Sequence, residues 1–333
     1  MAPAVDAIVF VLGAVVSLGT SWLLVSRIER VGERLGFSEA LLGIVAALAA
    51  DAPELTAAIT ALSNNEHQVG AGVVIGSNVF NLAALLGLGA VVAGRIALHR
   101  RVIELSGAVA IWVAGVCVAA VVGAVSVVVA LALSLVAVVL YVIVLGAGRS
   151  GLERLRLPRT WITWLGAAVA DEELELEDAI RPRRGTGGDA LLAGASLVVV
   201  VVASVAMERA ASSLGSRFGV PEIVIGGLVL AAVTSLPNAV AAVYLASRGR
   251  GAAVLSTALN SNALNVTAGL LLPAAVLGLG GSSGDTRLIA WWYLGLTVFA
   301  LGFAYRDRGL RRDTGAFIIL IYLVFVASLL ATA

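Results

Sequence analysis

The sequence predicts an all-α polytopic membrane protein with ten transmembrane helices in two inverted five-helix repeats. Three observations predict it. Of 333 residues, 60% are hydrophobic and only 13% are charged, with a mean hydropathy of +1.03; a soluble domain has no use for so much apolar surface. Apolar runs of about 20 residues recur along the chain, each long enough to cross a hydrocarbon core of about 30 Å. Finally, two stretches resemble each other at an offset of 184 residues, with an odd number of spans between them.

The expected segments are 5–26, 39–62, 68–93, 101–122 and 125–147, then 189–211, 220–246, 251–279, 288–305 and 314–332. The first lacks a basic flank and a small-residue cleavage pattern, so it reads as a span and not a signal peptide. Residues 148–188 form a polar connecting loop between a first repeat, 1–147, and a second, 189–333. Within it, Trp161 and Trp164 suit the membrane interface, and the acidic run 171–178 reads as a solvated helix or loop.

The chain has no lysine, and its arginines set the orientation. Ten spans put 19 of the 22 arginines on one side, leaving Arg209, Arg217 and Arg287 on the other. The positive-inside rule makes the arginine-rich side, with 148–188, cytoplasmic and both termini external. The missing lysine and the abundance of Ala, Val, Gly and Arg read as a GC-rich bacterial genome, hence a bacterial-type cell membrane.

"GIVAALAADAPELTAAI" from Gly43 aligns with "GLVLAAVTSLPNAVAAV" from Gly227, and "GSNVFN" at 76–81 with "NSNALN" at 260–265. Pro53 thus matches Pro237, Glu54 matches Asn238, Ser77 matches Ser261, and Asn81 matches Asn265. Five spans separate the copies, so they cross the membrane in opposite senses, as in secondary transporters. Each proline lacks an N–H and frees a carbonyl one turn back, near 49–50 and 233–234.

At matched depth these segments offer carboxylates from Asp51 and Glu54 and amide oxygens from Asn81, Asn238 and Asn265. Hydroxyls come from Ser77, Ser235, Ser261 and Thr234, and backbone oxygen from around Ala50. Asp51 and Glu54 are three residues apart, on one helical face; Ser77 and Asn81, like Ser261 and Asn265, are four apart. Asn78 and Asn262 fall on a flank, placed to bond neighbouring helices. The set is almost all oxygen, which suits hard cations: Ca²⁺ takes about 6–8 oxygens, whereas softer metals prefer nitrogen or sulfur. A carboxylate at mid-bilayer costs about 2.5–3.5 kcal/mol on insertion scales, so two of them call for an ion or proton partner. Asp51 beside Glu54 is also a candidate proton carrier, displaced when a divalent ion enters.

These motifs resemble those of the Ca²⁺/cation antiporter superfamily, which includes Na⁺/Ca²⁺ and H⁺/Ca²⁺ exchangers. The family carries a G-x-S-x-P-E motif on the second helix of each half and G-S-N-x-x-[ND] on the third. Here they stand as "AADAPEL" with "GSNVFN", and "VTSLPN" with "NSNALN". The resemblance implies a mid-membrane site with ligands from Glu54, Asn81, Asn238 and Asn265. It also implies monovalent sites served by Ser77, Ser261 and the backbone near Ala50 and Thr234, and alternating access by sliding of segments 1 and 6. The chain departs from the pattern at six positions. Asn238 replaces a glutamate, Asn265 an acidic residue, and Asp51 a hydroxyl. Ala49, Val233 and Asn260 replace glycines.

The leading expectation is an antiporter exchanging Ca²⁺, or a similar hard cation, for Na⁺ or H⁺. A monovalent cation/proton antiporter and a non-transporting scaffold or regulatory protein of the same fold are the alternatives. The residues imply no cofactor beyond the transported ions; the partners are inorganic cations and the lipid bilayer. Nothing resembles a basic, aromatic-interleaved nucleic-acid surface. No histidine lies within a span and no nucleophile–base pair appears, which argues against an enzyme. The lone Cys117 permits no intrachain disulfide and reads as a small buried hydrophobe. Glu39 and Glu222 sit in first helical turns, where the helix dipole favours them. Glu66 and His67 belong to the short outer loop between segments 2 and 3. The glycines of "LGLGG" at 277–281 follow no strand, which excludes a nucleotide loop.

Overall fold

The structure, a computed structural model, describes residues 3–37, 39–152, 158–177, 185–247, 251–281 and 283–333. Long helices dominate: α1 (Pro3–Leu35), α6 (Arg100–Val121), α7 (Val127–Leu152), α9 (Gly187–Phe218), α15 (Gly284–Asp307) and α16 (Arg312–Thr332). Shorter pieces make up the broken segments: α2 (Glu39–Ala50) and α3 (Ala52–Ser63), and α4 (His67–Asn81), π1 (Leu82–Leu88) and α5 (Gly89–Ala93). The second half has α10 (Glu222–Val224), π2 (Ile225–Leu230), α11 (Ala231–Thr234) and α12 (Leu236–Ser247). It then continues through α13 (Gly251–Leu264), π3 (Asn265–Leu271) and α14 (Leu272–Leu277).

Among the described residues, seven helices are long and apolar enough to cross a membrane, or nine if each of two bent pairs is one span. The expected segment 251–279 corresponds to the unbroken helical run α13–π3–α14. Burial separates core from periphery. The apolar stretch of His67–Ala93 is 94% buried, whereas that of Val127–Ala147 is 17% buried and turns Val128, Val136 and Leu140 outward. Apolar residues on an outer face are what a lipid-facing helix presents. Helices α1 and α9 pack along each other and form one flank of the bundle.

The connectors gather into two sets. In one, β1 (Arg95–Ala97) pairs antiparallel with β2 (Gly309–Arg311), Arg27 bonds Asp189 at 2.7 Å, and the Gly185 amide donates to the Arg30 carbonyl. In the other, His67 packs on Gly280, Ser283 donates to Gln68, and Ser212 donates to Glu66. One cavity of this second set joins His67, residues 120–121 and 123–127, and Leu279–Gly281.

The connecting stretch 148–188, expected as a loop, carries helix instead. Helix α7 runs on to Leu152, and α8 spans Arg159–Glu177. After Pro158 the sequence is rich in Ala, Leu and Glu, good helix formers with little to interrupt them. Leu165, Ala168 and Val169 are buried as α8 packs on α6 and α7, while Trp161 is exposed. Asp171 meets Arg101 at 3.3 Å; the side chains of the rest of the acidic run, and that of Glu39, lie outside the described residues.

Close backbone contact holds the centre. A Cβ on Gly76 would lie 2.3 Å from the Gly227 carbonyl oxygen, and one on Gly226 would lie 2.2 Å from that of Val69. Only glycine lets α4 approach π2 this closely, a packing device familiar in membrane helices.

Candidate ion site

Two breaks build the site. Between α2 and α3 the axis bends by 53° at Asp51; between α11 and α12 it bends by 42° at Ser235. The two pivots are equivalent in the repeat and adopt nearly the same backbone, φ −81°, ψ −1° at Asp51 and φ −85°, ψ 0° at Ser235. Proline two residues on causes both breaks, since its ring clashes with the preceding turn and it supplies no amide. Pro53 and Pro237 line one crevice together with Ala14, Ser17 and Leu18 of α1 and Met207 of α9. The Ala50 carbonyl accepts from Ser21 at 3.5 Å.

The breaks bring both carboxylates against the opposite half. Asp51 Oδ1 accepts from Asn238 Nδ2 at 2.9 Å and from Ser261 Oγ at 2.7 Å; Glu54 Oε1 accepts from Ser235 Oγ at 2.9 Å. Asp51 and Glu54 are both fully buried. Asn81 Nδ2 donates to Ser261 Oγ at 3.3 Å and to Asn262 Oδ1 at 3.2 Å. Asn265 Nδ2 donates to Asn78 Oδ1 at 3.2 Å. The flanking asparagines clasp across the repeat axis: Asn78 donates to the Asn262 carbonyl at 3.0 Å, and Asn262 to that of Asn78 at 3.1 Å.

Four oxygens stay without a hydrogen-bond partner: Asp51 Oδ2, Glu54 Oε2, Asn81 Oδ1 and Asn265 Oδ1. They are half of the eight buried, unpartnered side-chain nitrogen and oxygen atoms among the described residues, and each is an acceptor from an aligned motif. Native interiors leave few such groups, because each costs about 1–3 kcal/mol, more when charged. Two carboxylate and two amide oxygens are atoms of the kind that hard cations accept as ligands. Among the described residues, no three His, Cys, Asp or Glu side chains cluster as a metal site.

The other expected candidates lie nearby with different partners. Ser77 Oγ points at the Ala231 carbonyl at 3.5 Å, and Thr234 Oγ1 bonds Leu230 O within its own helix at 2.9 Å. Two features have no counterpart in the sequence reading. The π-helical stretch π1 starts at Leu82, directly after Asn81, and π3 starts at Asn265, within one residue of the equivalent position in the other half. Such bulges often mark functional sites. Buried Glu208 of α9 shares Ser212 with Glu66; the signal was a charged "MERA" inside an otherwise apolar segment.

Comparison with known proteins agrees with this architecture. The family model described as "Sodium/calcium exchanger protein" matches residues 5–147 and 189–331. The chain belongs to that family, and is thus a multi-pass membrane protein. It is 35% identical over 78 residues to sodium/potassium/calcium exchanger 2 of Homo sapiens, across 23% of this chain and 12% of that protein. With exchanger 4 of Mus musculus it shares 26% over 136 residues, 38% of this chain and 22% of the relative. The matched region is thus a small part of those relatives. The fold is similar to that of the H⁺/Ca²⁺ exchanger CAX, with a TM-score of 0.71 at 13% identity over 98% of this chain and 86% of that one. It is also similar to the sodium-calcium exchanger NCX_Mj, with a TM-score of 0.58 at 17% identity over 98% and 99% of the two chains.

Proposed function

We propose that this protein is a secondary active antiporter exchanging Ca²⁺, or a similar hard cation, for Na⁺ or H⁺ by alternating access. The ion sits at mid-membrane between segments 2, 3, 7 and 8, held by Asp51, Glu54, Asn81 and Asn265. Asn238, Ser235 and Ser261 stand behind the carboxylates, and Ser77, Thr234 and the Ala50 carbonyl lie at the margin. The observation that carries this reading is the set of four buried oxygens without a partner, two of them carboxylate. Two negative charges match one divalent cation, and the remaining ligands are the neutral oxygens such ions accept.

The same reading takes the chain as ten spans in two inverted halves, 1–147 and 189–333, with 148–188 between them in the cytoplasm and both termini outside. The grouping of connectors supports it. Loop 1–2 meets 5–6, 5–6 meets 3–4 through Asp171 and Arg101, and 3–4 pairs with 9–10, while 2–3 meets 4–5, 6–7 and 8–9, which is the parity ten spans require. The arginine asymmetry supports the same orientation.

The test is uptake of radiolabelled Ca²⁺ into proteoliposomes of the purified protein, first under a Na⁺ gradient and then under a proton gradient. Uptake driven by either gradient and abolished by Glu54→Gln is expected. No uptake under either would overturn the divalent reading in favour of monovalent cation/proton exchange.

A further inference from the structure

The two halves meet at the site through a pair of equivalent contacts with opposite polarity. In one, the pivot Ser235 is the donor and Glu54, three residues beyond the other pivot, is the acceptor, at 2.9 Å. In the other, the pivot Asp51 is the acceptor and Asn238, three residues beyond Ser235, is the donor, also at 2.9 Å. Each contact joins a pivot of one half to the third residue past the pivot of the other. Each holds one carboxylate and one neutral donor. Only the placement of the carboxylate differs.

We infer that Asp51 and Asn238 form one exchangeable unit, in which the carboxylate has been transposed across the repeat axis and Asn238 serves as the positioning residue that aims Asp51 at the ion. An acid at 51 demands a donor at 238, just as an acid at 238 would demand a donor at 51. Ser261 reinforces the assignment. It donates to the same oxygen, Asp51 Oδ1, so both donors hold one side of the carboxylate and leave Oδ2 free. A second consequence follows for charge. Both formal charges of the site ride on the α2–α3 break, and the second half contributes neutral groups. The inference rests on the ion-site reading for the role of Oδ2, whereas the pairing itself needs no ion.

A double-substitution cycle tests it. Asn238→Asp faces Asp51 with a second carboxylate and removes its donor. Asp51→Asn removes the charge while keeping the shape. The exchange Asp51→Asn with Asn238→Asp restores one acid and one amide without change of size. Thermal unfolding of the detergent-purified protein in Ca²⁺-free buffer reads the pairing with no transport involved. Asn238→Asp should lower the midpoint by several degrees and the exchange should recover most of that loss. Should the exchange prove no more stable than Asn238→Asp, or should Asn238→Asp cost nothing, the transposition is wrong. If Asn238→Asp yields no folded protein, recovery of folded protein in the exchange is the same positive result, and its failure the same negative one. Uptake of Ca²⁺ by the exchange variant adds a second readout: it should exceed that of either single variant. A wild type that carries no Ca²⁺ would remove the proposed function while leaving the unfolding result to decide the pairing.

Discussion

The broken helices of the two halves share a backbone and differ in charge. Asp51 and Ser235 occupy equivalent pivots with dihedral angles only a few degrees apart. Yet the first break carries Asp51 and Glu54, while the second carries Ser235 and Asn238. Proline position fixes the bend, and the count of donors and acceptors across the interface fixes which side chains fit. Neither constraint says which half must supply the acid. Two equivalent breaks can therefore share one geometry whichever of them carries the charge.

Glu54→Gln breaks this comparison most severely. It removes one of two charges from the proposed cation site, where hydrogen bonds to charged groups are worth about 1.5–3 kcal/mol, so ion flux should fall at least tenfold with the fold intact in circular dichroism. Asp51→Asn comes next. It keeps an acceptor for Asn238 and Ser261 but removes a charge, and Ca²⁺ affinity should weaken by about tenfold, the equivalent of roughly 1.4 kcal/mol. Protons compete for the same carboxylate oxygens, so wild-type Ca²⁺ uptake should decline on acidification, and Asp51→Asn should flatten that decline. Equal pH profiles would place proton binding elsewhere.

Gly76→Ala tests the frame that holds the breaks together. Its Cβ would press on the Gly227 carbonyl, and overpacking of this kind costs about 1–3 kcal/mol. A lowered unfolding midpoint is expected, whereas Gly19→Ala, with nothing within 4 Å of its Cβ, should change it little. Ser235→Ala is the mildest. It deletes the donor to Glu54, and a net contribution of about 1 kcal/mol corresponds to roughly a fivefold loss of affinity.

Much of this was legible in the sequence. Hydropathy gave the helical membrane class because lipid leaves the backbone few other options. The paired prolines and the repeated "SN" motifs located the breaks and the asparagines, since each residue type there has a distinct physical use. What stayed hidden depends on three-dimensional contact. The donors to Asp51 come from residues 187 and 210 positions away, a distance no local pattern encodes. The π-helical turns that start at Leu82 and Asn265 have no compositional mark. The β1–β2 pairing spans three residues per strand, too short for alternation to register. Helix α8 was masked by the charge of its own second half, which reads equally well as a solvated loop.

Equilibrium binding of radiolabelled Ca²⁺ to the purified protein tests the central claim most directly, because it asks whether the first break carries the site. Wild type should bind a single Ca²⁺ per chain. Glu54→Gln and Asp51→Asn should each weaken that binding more than Ser235→Ala does. Binding that survives both carboxylate substitutions unchanged would place the ion elsewhere and contradict the account.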